Sequence, residues 1–275
     1  MSSFKTRTCD KHGDYEAEVS VAGSGSFERE FYTSCPDCEK ERIKENLGYA
    51  ESYKAGSVRS AFNKVKIPVR YREESIYNIT ASNEDQQKII TRCKSYIEKY
   101  EELKKLGTSL VFTGKPGTGK TKIALSMIKP IIENVVHPAY DKIIDEIKNS
   151  GSSDESLRCF EYDICKYINT YDLFMEIKAT YNKNSHETER EVMETYTRTE
   201  LLVIDEVGAQ SGSDYEITTM FRIINSRYEN LKPTFLISNL SESDLSEYIG
   251  ERTIDRFYEN HGAVFVFDWE SHRRS

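Results

Sequence analysis

The sequence contains no long apolar run, and this absence excludes a first class of protein. No segment approaches the roughly 18 consecutive apolar residues that a helix needs to cross a bilayer, so we expect no membrane span. The first residues, MSSFKTRTCDKHGD, lack the apolar stretch of a secretory signal. The sequence therefore predicts a cytoplasmic protein with no membrane partner.

The sequence also has no excess of positive charge. It carries 38 Lys and Arg against 46 Asp and Glu, a formal net charge of −8. This balance argues against a surface that binds nucleic acid over its whole area, although a local groove with a few basic side chains can still contact phosphates. No internal repeat is visible, and 275 residues with 37% hydrophobic side chains allow one full α/β domain plus a smaller module.

Cysteine is scarce and unevenly placed. Three of the six cysteines, Cys93, Cys159 and Cys165, are scattered and are expected to be small, mostly buried side chains. The other three fall within the first 40 residues, where grouped cysteines of a cytosolic chain indicate a metal site more often than disulfides.

The grouped cysteines form ligand pairs together with one histidine. The pairs are Cys9-x-x-His12 and Cys35-x-x-Cys38, separated by 22 residues that would form a small hairpin. Four N and S ligands suit a closed tetrahedral Zn²⁺ site, and metal would supply the folding energy that this apolar-poor module lacks. The alternative is a coincidence of three Cys and one His.

The segment GKPGTGKT follows the apolar stretch TSLVFT and fits the phosphate-loop pattern G-x-x-x-x-G-K-[ST] at every fixed position. Its glycines allow successive N–H groups to face phosphate oxygens, while its lysine would reach the β and γ phosphates and its threonine would hold Mg²⁺. A chance glycine-rich turn is the alternative, which the flanking strand and helix patterns disfavour. The predicted nucleotide-binding residues are Gly114, Lys115, Pro116, Gly117, Thr118, Gly119, Lys120 and Thr121.

Acidic and amide side chains follow two later apolar segments. In LLVIDEVG, Asp205 would hold the Mg²⁺ water shell and Glu206 would act as general base on the attacking water, unless the two are only a solvated acidic pair. In ISNLS, Asn239 would contact the γ phosphate or the lytic water, although an Asn after a strand is more often a turn residue. Together with Lys120 and Thr121, these residues predict a protein that hydrolyses ATP.

Strand-like and helix-like segments alternate from about residue 83 to the end, which predicts an α/β fold with a parallel sheet flanked by helices. Residues 137–160 are less regular, and NSGSSDES within them is expected to be an exposed loop. DLSEYIGERTIDRFYEN is expected to be one further helix and GAVFVFDW a last strand.

The ordered set of segments resembles the DnaC-type replicative helicase loaders, in their phage and prophage form, within the AAA+ ATPases. The segments are IPVRYREESIYN, TSLVFTGKPGTGKT, INTYDLFMEIK, LLVIDEVG, IINSRYENLKPTFLISNLS, ERTIDRF and FDWESHR. Phage loaders often carry a similar CxxHG…CPxC start. The region before CKYINT is longer than is usual for the family, and we assign the excess to residues 137–160.

The resemblance implies a nucleotide bound between neighbouring subunits, with arginines acting in trans. By position, Arg256 matches the family's arginine finger, and Arg252, one turn earlier, is the competing residue. Arg273 matches the arginine that senses the nucleotide state. Without the resemblance these arginines are equally a solvated basic face.

The resemblance also implies a domain organisation and a function. We expect a zinc-binding, helicase-interacting module at 1–45, a helix and linker at 46–80 and an AAA+ ATPase domain at 81–275. The expected activity is ATP-dependent loading of a hexameric DnaB-type replicative helicase onto single-stranded DNA, by a bacterial protein that forms a homo-oligomer with ATP. Expected cofactors are ATP, Mg²⁺ and Zn²⁺.

Two alternatives remain open. An IstB-type transposition helper shares the same core, and a nucleotide-switched DNA or protein adaptor would hydrolyse little. An origin-binding initiator is not expected, because no helix-turn-helix pattern follows the core. For DNA contact, the aromatics Tyr171, Phe174 and Tyr181 interleave with Lys178 and Lys183, but aromatics at helical spacing are more often packing residues.

Overall fold

The computed structural model describes residues 3–23, 27–151, 163–182, 184–209 and 213–272. The chain divides into two compact units. The small unit contains residues 1–56 and 137–159, and the large unit contains residues 57–136 and 160–275. The expected boundary at residue 45 falls inside the first helix, and the expected boundary at residue 80 falls just before the second.

The chain begins with three antiparallel strands, and helices and parallel strands then alternate as in other α/β proteins. In chain order they are β1 (Ser3–Cys9), β2 (Gly13–Ala22), β3 (Arg29–Tyr32), α1 (Pro36–Lys64), a short 3-10 helix (Val69–Tyr71), α2 (Glu84–Glu98), α3 (Tyr100–Lys105), β4 (Leu110–Gly114), α4 (Lys120–Ser126), α5 (Ile128–Ser150), β5 (Cys165–Asn169), α6 (Thr170–Ala179), α7 (Glu189–Arg198), β6 (Leu201–Val207), α8 (Asp214–Glu229), β7 (Thr234–Ser238), α9 (Glu242–Ile249), α10 (Glu251–Tyr258) and β8 (Ala263–Phe267).

The small unit begins with a three-stranded antiparallel sheet in the order β1-β2-β3. The hairpin expected between the two ligand pairs is therefore part of a larger sheet. Along β2 the side chains alternate, and Ala17 and Val19 are buried on one face. Helix α1 starts four residues after β3, so the second ligand pair lies where the sheet ends and the helix begins.

Residues 137–150 are helical, which corrects the expected irregular segment. They continue α5 through Pro138, and the buried side chains Tyr140, Ile143 and Ile147 recur at helical spacing. The ammonium of Lys54 lies 2.6 Å from a carboxylate oxygen of Asp141, so this part of α5 packs along α1. Pro138 and the polar stretch beyond Ser150 obscured this periodicity in the sequence. Residues 152–160 of the expected loop, with Cys159, lie outside the described residues.

The large unit contains a five-stranded parallel sheet in the order β5-β6-β7-β4-β8. Its central strands are apolar and buried, with Val111, Phe112, Val203 and Leu236 at 0% exposure. Such strands, covered on both faces, confirm the predicted fold class. The order makes β4, β6 and β7 neighbours, so the residues that follow these three strands meet at one edge of the sheet.

Several expected helices are divided. The segment near residues 83–106 breaks at Lys99 into α2 and α3, and the helix after the phosphate loop breaks at Met127 into α4 and α5. The helix expected over DLSEYIGERTIDRFYEN breaks at Gly250, whose φ of 90° no regular helix permits. Helix α7 was not expected. Among the described helices, none has the length and apolarity that crossing a membrane requires.

Candidate nucleotide and zinc sites

A cavity of about 500 Å³ lies at the carboxyl ends of β4, β6 and β7. Of the residues that the sequence predicted for nucleotide chemistry, Lys120, Thr121, Asp205, Glu206 and Asn239 line it. Gly114, Lys115 and Thr118 of the predicted loop are not among its lining residues. Further lining residues are Arg70, Tyr71, Ile79, Thr80, Ser82, Gln86, Pro116, Gly117, Gly119, Lys122, Ile123, Ile237, Ser238 and His272. The sheet order therefore brings together segments more than 80 residues apart in the chain.

The phosphate loop leaves β4 at Gly114, a position that requires glycine. Its φ is 118°, and a Cβ there would lie 2.4 Å from the carbonyl oxygen of Phe267. Within the loop, the Lys120 ammonium donates to the carbonyl oxygens of Gly114 at 2.7 Å and Lys115 at 2.6 Å. The lysine is 5% exposed, so the structure holds its positive charge inside the loop, where an anionic phosphate would be attracted.

The carboxylate of Asp205 lies next to the hydroxyl of Thr121. The hydroxyl donates to Oδ1 at 3.4 Å, and the Tyr167 hydroxyl donates to Oδ2 at 3.2 Å. Oxygen ligands in adjacent octahedral positions around Mg²⁺ lie about 3 Å apart, since each Mg–O bond is about 2.1 Å. Thr121 and Asp205 therefore fit a shared Mg²⁺ ion or its water shell.

Burial raises the pKa of Asp205 above its usual range, and the nearby Glu206 raises it further. Hydrogen bonds from the Glu206 N–H, Tyr167 and Thr121 oppose that effect. Among the described residues, no Lys or Arg forms a salt bridge with Asp205. A carboxylate that is costly to ionise and lacks a cationic side chain is one that a metal cation would stabilise.

Glu206 follows Asp205 directly, yet both line the cavity. In a regular strand, consecutive side chains point to opposite faces. The register between β6 and β7 shifts here, with three steps from Ile204 to Val207 against two from Leu236 to Ser238. Glu206 takes a φ of 58°, which is unfavourable for a non-glycine residue and is typical of strain kept at functional sites. This bulge directs both acids to the same cavity.

Sequence reasoning missed several residues of this site. Tyr167 on β5 is half-buried, and its contact with Asp205 has no signal in the segment CKYIN. Arg70 and Tyr71, in the short 3-10 helix, lie within IPVRYREESIYN, a segment that indicated only the family resemblance. Their contribution depends on a fold that brings residue 70 next to residue 120.

The candidate finger arginines do not line this cavity. Arg256 on α10 is half-buried, donates to the side-chain oxygen of Asn225 and lies 4.8 Å from the ring centroid of Tyr228. Arg252, one turn earlier, is exposed. Neither is a lining residue of its own chain's cavity, so a role for either on the nucleotide requires a second copy. Arg273 lies outside the described residues.

The aromatics considered for DNA contact divide between core and surface. Phe174 is 3% exposed and belongs to the hydrophobic core, which bears out the packing alternative for that residue. Tyr171 and Tyr181 are 55% and 59% exposed. Lys178 lies 3.7 Å from Glu216, and Lys183 lies outside the described residues.

The four predicted metal ligands lie together in the small unit. Cys9 ends β1, His12 lies in the turn before β2, and Cys35 and Cys38 lie at the start of α1, with all ligand atoms within 4.8 Å of one another. The His12 Nδ1 atom is 3.4 Å from the Cys38 sulfur and 3.7 Å from the Cys9 and Cys35 sulfurs. The sulfurs of Cys9 and Cys38 are 3.5 Å apart.

These spacings fit a tetrahedral zinc site. Zn–S bonds of about 2.3 Å and Zn–N bonds of about 2.0 Å place neighbouring ligand atoms about 3.5 to 3.8 Å apart. The other ring nitrogen of His12, Nε2, lies 3.2 Å from a carboxylate oxygen of Glu41, a contact that fixes the ring as outer-shell carboxylates do at zinc sites. Backbone N–H groups of Lys11 and His12 donate to the Cys9 sulfur and lower the pKa of that thiol to about 6.

Comparisons with known proteins agree with this geometry. Residues 161–258 match the family model of IstB-like ATP binding proteins. A protein of Buchnera aphidicola subsp. Baizongia pistaciae named Replicative helicase loader DnaC is 28% identical over 204 residues, which span 74% of this chain and 71% of that protein. The protein of the same name from Escherichia coli (strain K12) is 26% identical over 222 residues, or 80% and 77% of the two chains. The chain is thus similar in sequence to proteins named DnaC helicase loaders.

A crystal structure of the DnaC helicase loader supports the fold. It superposes with a TM-score of 0.55 at 22% identity and covers 73% of this chain and 99% of that chain. The predicted resemblance to DnaC-type proteins and the AAA+ fold are therefore confirmed. The phosphate loop and the match to IstB-like ATP binding proteins support ATP binding on this fold.

Proposed function

We propose that the protein is an ATP-dependent loader of a hexameric, DnaB-type replicative helicase onto single-stranded DNA. The observation that carries the proposal is the cavity in which Lys120, Thr121, Asp205, Glu206 and Asn239 meet. Such a set can bind Mg²⁺ and ATP and activate water. Two proteins similar to this chain are named replicative helicase loaders. The origin of the chain from a phage or prophage stays a prediction.

In this proposal each side chain has a separate task. Lys120 would leave its loop carbonyls to neutralise the β and γ phosphates, and Thr121 with Asp205 would hold Mg²⁺. Glu206 would take a proton from the attacking water, and Asn239 would orient that water or the γ phosphate. Arg256 of a neighbouring copy would stabilise the transferring phosphoryl group, so that hydrolysis depends on assembly.

Nucleotide chemistry is tested first with three variants. Lys120→Ala should abolish binding of a fluorescent ATP analogue, whereas Glu206→Gln should bind the analogue normally and lose about 10² to 10⁴ of the ATPase rate. Arg256→Ala should bind normally and lose the assembly-dependent rate, an effect of about 10³ to 10⁵ for a finger in trans. Arg252→Ala tests the competing residue, and loss of the assembly-dependent rate in that variant alone would make Arg252 the finger. Undiminished turnover in Arg256→Ala would refute the trans assignment.

Helicase loading requires its own experiment. The protein is incubated with a purified DnaB-type hexamer and a single-stranded DNA circle, with ATP or a non-hydrolysable analogue. Transfer of the helicase onto the circle that needs the protein and Lys120 supports loading. ATPase activity without any helicase contact would preserve the nucleotide chemistry and reject the loader function.

The zinc-binding module is the proposed helicase-docking part. Replacing both Cys35 and Cys38 by Ala should release Zn²⁺ and abolish helicase binding while nucleotide binding by the large unit remains, because its cavity is lined only by residues of that unit. Helicase binding that persists without metal would show that the docking site lies outside the zinc-binding module.

An IstB-type transposition helper is the second candidate, because residues 161–258 match that family model. The two candidates share the ATPase core and differ in the partner protein. Stimulation of the ATPase by a transposase, with no response to a replicative helicase, would favour the helper. An adaptor that hydrolyses little is tested by basal turnover, which the position of Glu206 in the cavity predicts to be measurable.

A further inference from the structure

The carbonyl groups of the phosphate loop carry a further inference. A loop that turns its N–H groups toward phosphate must turn its carbonyl oxygens away from it. Buried backbone carbonyls need hydrogen-bond donors, and a loop between a strand and a helix has no neighbouring strand to supply them. The identity of those donors therefore decides how firmly the loop keeps its binding conformation.

Two loop carbonyls accept hydrogen bonds from the end of the chain. The indole N–H of Trp269 donates to the carbonyl oxygen of Thr118 at 3.0 Å. The backbone N–H of His272 donates to the carbonyl oxygen of Gly117, also at 3.0 Å. Both donors lie in residues 268–272, which directly follow β8 and are called the strap below. The strap thus holds consecutive carbonyls of the glycine-rich turn from outside the loop.

The strap is itself fixed at its first residues. The Trp269 ring packs on the Phe267 ring with centroids 4.8 Å apart, and Phe267 belongs to β8. The backbone N–H of Lys115 donates to the Phe267 carbonyl at 2.9 Å, and the Lys115 ammonium lies 2.7 Å from a carboxylate oxygen of Asp268. Contacts with β8 and Lys115 therefore fix the strap, and the strap in turn fixes the middle of the phosphate loop.

We propose that the strap is a positioning element of the nucleotide site, with Trp269 as the positioning residue for the phosphate loop. This inference rests on the proposed nucleotide binding at that loop. Trp269 is half-buried, and its ring N–H donates to the loop. The side chain therefore both packs against Phe267 and holds the loop by a hydrogen bond. The Thr118 carbonyl and the Gly119 N–H belong to one peptide group. Without the indole donor this group is free to rotate, and the Gly119 N–H then no longer points at phosphate.

The test compares Trp269→Phe with wild-type protein. Phenylalanine keeps a ring against Phe267 and removes only the N–H donor. Tyr15→Phe is the matched control, because it removes a side-chain donor to a backbone carbonyl, that of Thr33 at 3.1 Å, in the small unit. The measurements are the dissociation constant of a fluorescent ADP analogue with Mg²⁺ and the melting temperature with and without nucleotide.

The expected result is nucleotide binding about three- to tenfold weaker in Trp269→Phe, the effect of one lost hydrogen bond on a binding loop. The melting temperature without nucleotide should match that of Tyr15→Phe, while the rise caused by nucleotide should be smaller. A merely structural role would instead lower the melting temperature without nucleotide and leave affinity unchanged. That outcome, or equal nucleotide affinity in Trp269→Phe and wild-type protein, overturns the proposed positioning role of the strap. Wild-type protein that binds no nucleotide overturns the proposed function as well.

Discussion

Replacing Arg227 should destabilise the protein far more than replacing any exposed arginine. Its side chain is 0% exposed, and among the described residues no carboxylate pairs with it. Its guanidinium donates to one hydroxyl and five backbone carbonyls. These acceptors are Thr234 Oγ1 at 2.9 Å and the carbonyl oxygens of Tyr196 at 2.8 Å, Thr197 at 3.3 Å, Thr199 at 2.9 Å, Glu200 at 3.1 Å and Pro233 at 2.6 Å.

These carbonyls lie in the last turn of α7 and where the chain enters β6 and β7. Asp205 lies near the carboxyl end of β6, and Asn239 follows β7. Arg227 thus ties together the starts of the two strands whose ends form the site. Burial lowers the pKa of Arg227 to about 9, so the side chain remains charged at neutral pH. The hydrogen bonds to carbonyl dipoles stabilise that charge in place of an acid.

The magnitude follows from the donors that are lost. Lysine offers three N–H donors instead of five and cannot reach both strand entries, so at least two carbonyls lose their partner. Each unsatisfied buried acceptor costs about 1 to 3 kcal/mol, so two of them make Arg227→Lys less stable by about 2 to 6 kcal/mol. Since whole domains are stable by about 5 to 15 kcal/mol, the variant should still fold.

The assay is urea unfolding followed by circular dichroism, with Arg222→Lys as control. Arg222 lies on the same helix, is exposed and lies 3.8 Å from Glu189, a surface pair worth about 0.5 kcal/mol. The large unit should unfold at clearly lower urea concentration in Arg227→Lys alone. If the two variants unfold together, the carbonyl contacts do not stabilise the fold and the reasoning is refuted.

Three further predictions concern the two sites. Asp205→Asn should raise the melting temperature at neutral pH while abolishing Mg²⁺-dependent turnover. Because folding raises the pKa of Asp205, the folded state loses stability as the pH rises above the unfolded-state pKa, and the loss is complete above the folded-state pKa. Equal melting temperatures would contradict this. Tyr167→Phe should weaken Mg²⁺ activation by about three- to tenfold, seen as a higher Mg²⁺ concentration for half-maximal ATPase, with Tyr171→Phe as control. A chelator should remove one zinc per chain and the antiparallel sheet signal of the small unit, and an unchanged spectrum after metal release would show that the module folds without it.

Short-range spacing determined much of what the sequence predicted. The phosphate loop was predictable because Gly114 to Thr121 form one continuous turn whose geometry depends on neighbouring residues. The two pairs of the candidate metal cluster were predictable for the same reason, since two residues three apart can bind one ion. The parallel sheet followed from alternating apolar segments, whose periodicity is a local property.

Helix ends and the insert were harder to predict. The break at Gly250 and the continuation of α5 through Pro138 depend on which side chains become buried, and Tyr140 and Ile147, which belong to the small unit, are fully buried. Local signals for Gly and Pro were present, but packing decided their outcome. Helix α7 was missed between segments that carried clearer motifs.

The sequence by itself therefore determined the fold class, the phosphate loop with its acidic strand, and the two metal-ligand pairs. Only the tertiary structure decided that a bulge turns both Asp205 and Glu206 to the cavity, that Tyr167 contacts Asp205, and that Trp269 holds the phosphate loop. The physical reason is distance along the chain. Hydrogen bonds and burial between residues 38 or 151 positions apart depend on the packed sheet, and no local pattern encodes them.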